Sequence, residues 1–282
     1  MVKKESRERQ ESSSLAHGTN IHPTAIVSPK ARIGEGVKIG PYCIVGDNVT
    51  VGDNVYLHAH VVIDHVICDI GAGTEVFPFV SINKPQDLKF QGEASQVIIG
   101  KNTIIREYAT IQPGTAGDRM KTIVGDHCLL MACTHVAHDC VLGNYVQMAN
   151  HATLAGHVTV GDYAIIGGLA AVHQFVTIGP HAIIGGMSGV TADVIPYGNV
   201  RGERACLNGL NLVGLKRRGF SREQIALLQD AYKMMFEGEN TLAERIQHVK
   251  AHYGQEEIIK NLIAFVEREE MRALLSPTSG KL

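Results

Sequence analysis

From Val124 to Ile195 an aliphatic side chain returns at every sixth position: Val124, Leu130, Val136, Leu142, Met148, Leu154, Val160, Ile166, Val172, Ile178, Ile184 and Val190. A helix would space them by three and four, and a half-buried strand would alternate by two. A strict period of six, with Gly, Asp or Asn soon after each aliphatic, is the pattern of a hexapeptide β-solenoid. Four residues after each aliphatic stands a second inward position, small or β-branched: Cys128, Thr134, Cys140, Val146, Ala152, Val158 and onward to Val194. The pair fills a narrow prism and leaves the intervening polar residues outside. Thirty glycines, seven phenylalanines and no tryptophan suit so thin a core.

The period starts at Ile21, shifts by one residue near Asp69, and breaks twice, over 83–97 and over 113–122. These two interruptions, around Asp87 and Gly117, read as loops that wall a substrate site, because insertions in a solenoid gather on one face. About 25 hexads at three to a coil give about eight coils, a prism roughly 40 Å long at ~4.8 Å per strand. Residues 1–20 are polar and aperiodic and read as a disordered extension. The solenoid is expected over 21–196 and closes at Pro196; 197–282 is expected as a connection followed by an α-helical domain. The capping box Ser221/Gln224 opens its first long helix, and 241–253 and 256–275 continue it.

A net charge of −2 gives no field suited to nucleic acid. No apolar run reaches the eighteen residues of a membrane span, and the start of the chain has no secretory core. Six scattered cysteines without CxxC pairs fit reduced thiols in a cytoplasmic protein.

The segments QDLK (86–89), THVAHDC (134–140), TLAGH (153–157), AVHQF (171–175) and GLKRRGFS (214–221) together resemble the UDP-N-acetylglucosamine O-acyltransferases of the hexapeptide-repeat transferase superfamily. The resemblance runs in order from residue 21 to about 225. It implies a left-handed parallel β-helix (the period alone does not give the hand), a homotrimer with sites between subunits, and no cofactor. The implied reaction moves a 3-hydroxyacyl chain from acyl carrier protein to the 3-hydroxyl of UDP-N-acetylglucosamine, the first step of lipid A biosynthesis. Alternatives are a 3-amino sugar acceptor, or the N-acyltransferase of the same pathway. That enzyme carries an extra uridine-binding domain, for which the aperiodic start leaves little room.

Acyl transfer to a sugar hydroxyl needs a base and an oxyanion donor, and no GxSxG elbow offers a serine nucleophile. Eighteen residues make one coil, so His138, Gly156 and Gln174 stack as a column. The resemblance makes His138 the general base, Asp139 its orienting partner and the Gly156 N–H the oxyanion donor. His135, His157 and His173 are expected to shape the sugar and acyl pockets. Asp87 and Lys89 are expected to reach the sugar and nucleotide, Asn211 the nucleoside, and Arg217 and Arg218 the diphosphate. Val213 stands where relatives place a carboxylate, and His151 where they often have Asn. Gly186 lies at the phase of His138 but two coils and two faces on, at ~4.8 Å per coil; the resemblance implies that the residue there admits or blocks the acyl chain, so a glycine is expected to admit a long one, of about fourteen carbons. Arg201, Arg204 and Lys216, with the two arginines, offer an acidic carrier protein a landing surface. Cys140 is a rival nucleophile by proximity but turns inward, and a zinc site of three histidines is the rival use of the cluster.

Overall fold

The computed structural model describes residues 18–86, 88, 90–269 and 272–277. Short parallel strands follow the hexapeptide period and wind into three sheets of 11, 9 and 8 strands. We name them A, B and C in the order the chain meets them: Asn20–Ile21 opens sheet A, Ile26–Val27 sheet B and Arg32–Ile33 sheet C. The second residue of each strand points inward: Ile105, Leu130, Val136, Leu154 and Ile166 are fully buried. The expected i+4 positions are buried too, including Cys43, Cys128, Cys140, Thr134 and Ser188. All six cysteines are free thiols.

Successive coils pair in register. In sheet B, His135 lies opposite Thr153, Thr153 opposite Ala171, and Ala171 opposite Gly189. At most corners the third residue takes a left-handed conformation, as at Tyr145, Tyr163, His181 and Phe175, with φ near +60°. Side chains rarely adopt it without compensation. Here the N–H of that residue reaches the coil before, as Tyr163 N–H does to Asn144 O (2.9 Å). Rings at these positions also stack from coil to coil. On the edge between sheets C and A the column runs His127, Tyr145, Tyr163, His181, Tyr197, with centroids 4.7–5.6 Å apart.

Both period breaks leave from the edge between sheets B and C. The first separates Ser81–Ile82 from Gln96–Ile99, and the second separates Thr110–Ile111 from Lys121–Val124. They sit on the two coils directly preceding that of His135–Val136. The first strand after each break reaches back beyond the hexapeptide length, so Gln96 and Lys121 already pair across sheet C.

Three expectations at the ends of the chain need correction. Of the aperiodic segment 1–20, residues 1–17 lie outside the described residues, while Asn20 already pairs with Lys38 in sheet A. The solenoid does not close at Pro196: Gly198–Arg201 adds a parallel strand to sheet A, and Cys206–Leu210 then pairs with it antiparallel. Helix α1 (Leu212–Arg217) follows, capped by Asn211, whose side chain accepts from Gly214 N–H. Next come α2 (Arg222–Phe236), which opens on the expected Ser221/Gln224 capping box, and α3 (Leu242–Tyr253), with a second box at Thr241/Glu244. Helix α4 (Glu257–Val266) ends well before residue 275. Beyond it residues 272–277 form an extended strap across the last coil. Asp193 N–H donates to Ala273 O (2.9 Å), and Leu275 N–H donates to Asp193 O (2.8 Å). The buried Asp193 carboxylate holds the strap, accepting from Thr177 N–H, Arg272 N–H and the Arg268 guanidinium. An ionic anchor competes here with helical bonding and wins, because an unpaired buried carboxylate is costly.

Adjacent residues on opposite faces of one strand test the phase. Ile105 is fully buried and its neighbour Ile104 is 38% exposed. Ile105→Ala is expected to cost about 3 kcal/mol in denaturant unfolding, and Ile104→Ala less than ~1 kcal/mol.

Candidate active site

The two insertions and the His138 column share one edge of the prism, and between them lies a cleft of about 910 Å³. The second insertion, Thr115 to Arg119, forms one wall; His138, His157, Thr159, Phe175 and Thr177 form the floor. Glu93 from the first insertion and Arg272 from the C-terminal strap close the ends. The insertion folds back at its base, where a Cβ on Gly114 would overlap the backbone of Lys121.

His138 occupies the second position of its corner and Asp139 the left-handed third, which turns the carboxylate back under the ring. His138 Nδ1 lies 3.0 Å from Asp139 Oδ2, with the imidazole about a quarter exposed and the carboxylate fully buried. Asp139 also accepts from the Thr115 N–H (3.0 Å) and the Thr115 hydroxyl (2.7 Å). Burial pushes the Asp139 carboxyl up, but these hydrogen bonds from His138 and Thr115 outweigh it and hold the group below the usual carboxylate value. The insertion therefore fixes the carboxylate partner of His138.

One coil on, Gly156 leaves room for that ring. A Cβ there would come within 2.5 Å of His138 Cε1 and 2.7 Å of Nε2, so any side chain would displace the imidazole. Among the described residues the Gly156 N–H makes no hydrogen bond within the chain. His157, next in sequence, lies edge-on to His138 (centroids 4.9 Å, 88°) and stacks on Phe175 (4.3 Å). Its Nδ1 is 2.7 Å from Asp118 Oδ2 of the insertion.

The remaining expected residues divide by edge. His135 is half-buried on the same coil as His138, its Nδ1 2.7 Å from the Thr110 hydroxyl. Burial first, and the neighbouring His138 second, lower its pKa. His173 and Gln174 are exposed two coils along the column, and Gln174 offers its backbone carbonyl to Arg272 (2.7 Å). Gly186 lies on the edge between sheets A and B. Arg217, Arg218 and Asn211 lie beyond the edge between C and A. Within one chain neither group meets His138.

Asn211, expected at the nucleoside, is buried; its amide accepts from the Gly214 N–H and donates to the His181 carbonyl. Arg218 stacks over Tyr163 and donates to the Tyr163 carbonyl (2.7 Å), whereas Arg217 is exposed. Val213 is exposed on α1. Asp87 and Lys89 lie outside the described residues.

The two rival chemistries meet different surroundings. The Cys140 thiol is buried against the Ala155 carbonyl and pushed up to about 12, chiefly by burial, so it is no thiolate nucleophile. His138, Asp139 and His157 do bring ligand atoms within 4.8 Å of one another. In this structure Asp139 Oδ2 accepts from the Thr115 hydroxyl and faces His138 Nδ1. Sequence reading singled out the Gly117 loop but not Thr115, Asp118 or Arg119 individually. It missed Phe175, which merely fills the aromatic phase, and Arg272, which reaches Gln174 across 98 residues.

Because Asp139 titrates below its unfolded value, its stabilisation is complete above about pH 4 and lost as pH falls through the folded value. Asp139→Asn is expected to lower unfolding free energy by about 2 kcal/mol at pH 7. Urea titrations should show the gap to wild type closing in acid.

The sequence profile of "Udp N-acetylglucosamine O-acyltransferase; Domain 2" matches residues 193–275, and that of the bacterial transferase hexapeptide matches 30–65 and 121–156. The acyl-[acyl-carrier-protein]–UDP-N-acetylglucosamine O-acyltransferase of Caulobacter vibrioides is 51% identical over 92% of this chain and 98% of its own length. The protein of the same name from Thermodesulfovibrio yellowstonii is 52% identical over 88% and 96%. Among solved structures, the Francisella novicida UDP-N-acetylglucosamine acyltransferase superposes with a TM-score of 0.87 at 35% identity, over 92% of this chain and 95% of that one. A second crystal structure of a UDP-N-acetylglucosamine acyltransferase gives 0.87 at 40% identity, over 92% and 100%. The prism with its helical cap, the insertions on one edge and these likenesses over nearly the whole length make this chain a member of the UDP-N-acetylglucosamine O-acyltransferase family.

Proposed function

We propose that this protein transfers a 3-hydroxyacyl chain from acyl carrier protein to the 3-hydroxyl of UDP-N-acetylglucosamine, opening lipid A biosynthesis in the cytoplasm. The observation that carries the reading is the chain of contacts Thr115–Asp139–His138 set against the bare backbone of Gly156. With Nδ1 facing a carboxylate, the neutral His138 ring bears its proton there and keeps a lone pair on Nε2. Nε2 then removes the proton of the sugar hydroxyl as the oxygen attacks the thioester carbon. The carbonyl oxygen gains negative charge beside the Gly156 N–H, and the tetrahedral intermediate collapses with cleavage of the C–S bond. The imidazolium returns its proton to the departing sulfur, and Asp139 stabilises the charged ring meanwhile.

The acceptor requires a second chain. His138 and the Gly186 and Arg217 groups occupy three different edges of one prism, so a trimer that sets edge against edge unites them. The edge of Gly186 suits such burial, since Tyr108, Leu169 and Met187 stand along it 57%, 60% and 71% exposed. Arg217 then meets the diphosphate as a fork of donors. The exposed Arg201, Arg204 and Lys216 face the acidic carrier protein. Among the described residues no helix is long and apolar enough to cross a membrane.

His138→Ala is expected to lower transfer at least hundredfold while leaving assembly unchanged and costing only about 1 kcal/mol of stability for the lost bond to Asp139; more than a tenth of wild-type turnover would overturn the assignment. Light scattering at micromolar concentration is expected to give three chains per particle, and a monomer of 30.5 kDa would refute the shared site. Gly186→Met tests the ruler. A Cβ there comes 3.1 Å from Gly168 O, so a stability loss of about 1 kcal/mol is expected. Product mass spectra should shift from about fourteen carbons toward shorter chains; each carbon removed is worth ~0.8 kcal/mol of burial.

A further inference from the structure

Two carboxylates of different origin each hold one imidazole of the cleft. Asp139 follows His138 directly and is buried. Asp118 belongs to the insertion, 39 residues before His157, and holds its Nδ1 at 2.7 Å. A turn brings the two gripping residues of the insertion together, with Asp118 N–H donating to Thr115 O (3.3 Å). One loop thus fastens two successive coils, through Thr115 to Asp139 on the first and through Asp118 to His157 on the second. The plane of His157 is set by stacking on Phe175 at 9°, and its rotation within that plane by Asp118. Arg119 Nε stands 3.4 Å from the same Asp118 oxygen and keeps that carboxylate turned toward the wall.

An ionised carboxylate only accepts hydrogen bonds, so it places the proton of neutral His157 on Nδ1 and leaves a lone pair on Nε2. We propose that Asp118 is a positioning residue that holds His157 in this form, so that Nε2 accepts a hydrogen bond from a hydroxyl or amide N–H of the acceptor sugar. The inference rests on the acyl-transfer reading for the identity of that molecule. Asp118 acts through His157 and touches no reacting atom. The cleft then carries two rings with the same polarity and different duties, His138 taking a proton and His157 only sharing one. An acceptor lacking a donor group at that place leaves the Nε2 lone pair unpaired and is discriminated against, since a buried unmet acceptor is costly.

The experiment uses the full chain and its Asp118→Asn and Asp118→Glu variants, with UDP-N-acetylglucosamine and a 3-hydroxyacyl carrier thioester. Steady-state kinetics are paired with nitrogen-15 NMR of the imidazoles. The expected result is an Nδ1–H tautomer at His157 in the wild type. Asp118→Asn should mix the tautomers and raise KM for the sugar nucleotide about tenfold, equivalent to 1.4 kcal/mol, with kcat changed less than about threefold. Asp118→Glu should restore most of KM and the tautomer, which a merely structural loop contact would not require. An Nε2–H tautomer in the wild type overturns the proposal whatever the variants do, as does an Asp118→Asn protein with unaltered KM and tautomer. A wild type that transfers no acyl group fails the acyl-transfer reading instead, while the tautomer still decides the Asp118 contact.

Discussion

The register of the parallel backbone ladder is the constraint on which everything else depends. Each strand contributes as few as two residues, so neither strand propensity nor a single pair of hydrogen bonds defines its position. What defines it is the simultaneous pairing of all three sheets. A slip of one residue would bring the polar outer residue of every hexad inside. The same register sets His138 one coil before Gly156 and two before Gln174. The chemistry of the cleft is thus built from the spacing of the core.

A second consequence of that geometry lies at the corners. Turning three times in each coil needs a left-handed residue at almost every corner, and the sequence seldom supplies glycine there. It supplies mostly rings and short polar groups, with Leu169 and Met187 among the exceptions, and ring stacking with coil-to-coil N–H bonds offsets the conformational cost. In the cleft this requirement takes a chemical use. The left-handed residue after His138 is Asp139, so the turn that the fold demands is also the turn that brings a carboxylate beneath the imidazole. At the next coil it is His157, stacked on Phe175.

Most of the prism was legible because its signal repeats: one hexad is uninformative, and twelve in phase leave little freedom. The His138 column followed from the same arithmetic, and both insertions stood out as interruptions of it. What escaped the sequence has a common physical cause. Thr115 and Asp118 matter through contacts across the edge of the prism, and no period relates them to the coils they grip. Arg272 depends on where a non-repeating tail lies down, and helical spacing over 256–275 suggested a helix where the pull of buried Asp193 produces a strap. Asn211 drew attention through the resemblance, while its hydrogen bonds to the start of α1 and to the His181 carbonyl had no signature in the sequence. The resemblance gave its position but not its hydrogen bonds.

The antiparallel strand Cys206–Leu210 has a bearing on the length of the molecule. A parallel solenoid presents at its last coil a row of unpaired backbone groups that resembles any of its own internal coils, and such a row invites another copy to continue it. Reversing the chain direction there offers an incoming hexapeptide coil the wrong polarity of donors and acceptors, and the strap pinned to Asp193 occupies the neighbouring sheet. The number of coils becomes a property written into one chain, and a repeat that could in principle polymerise into a fibre ends as a particle of fixed size.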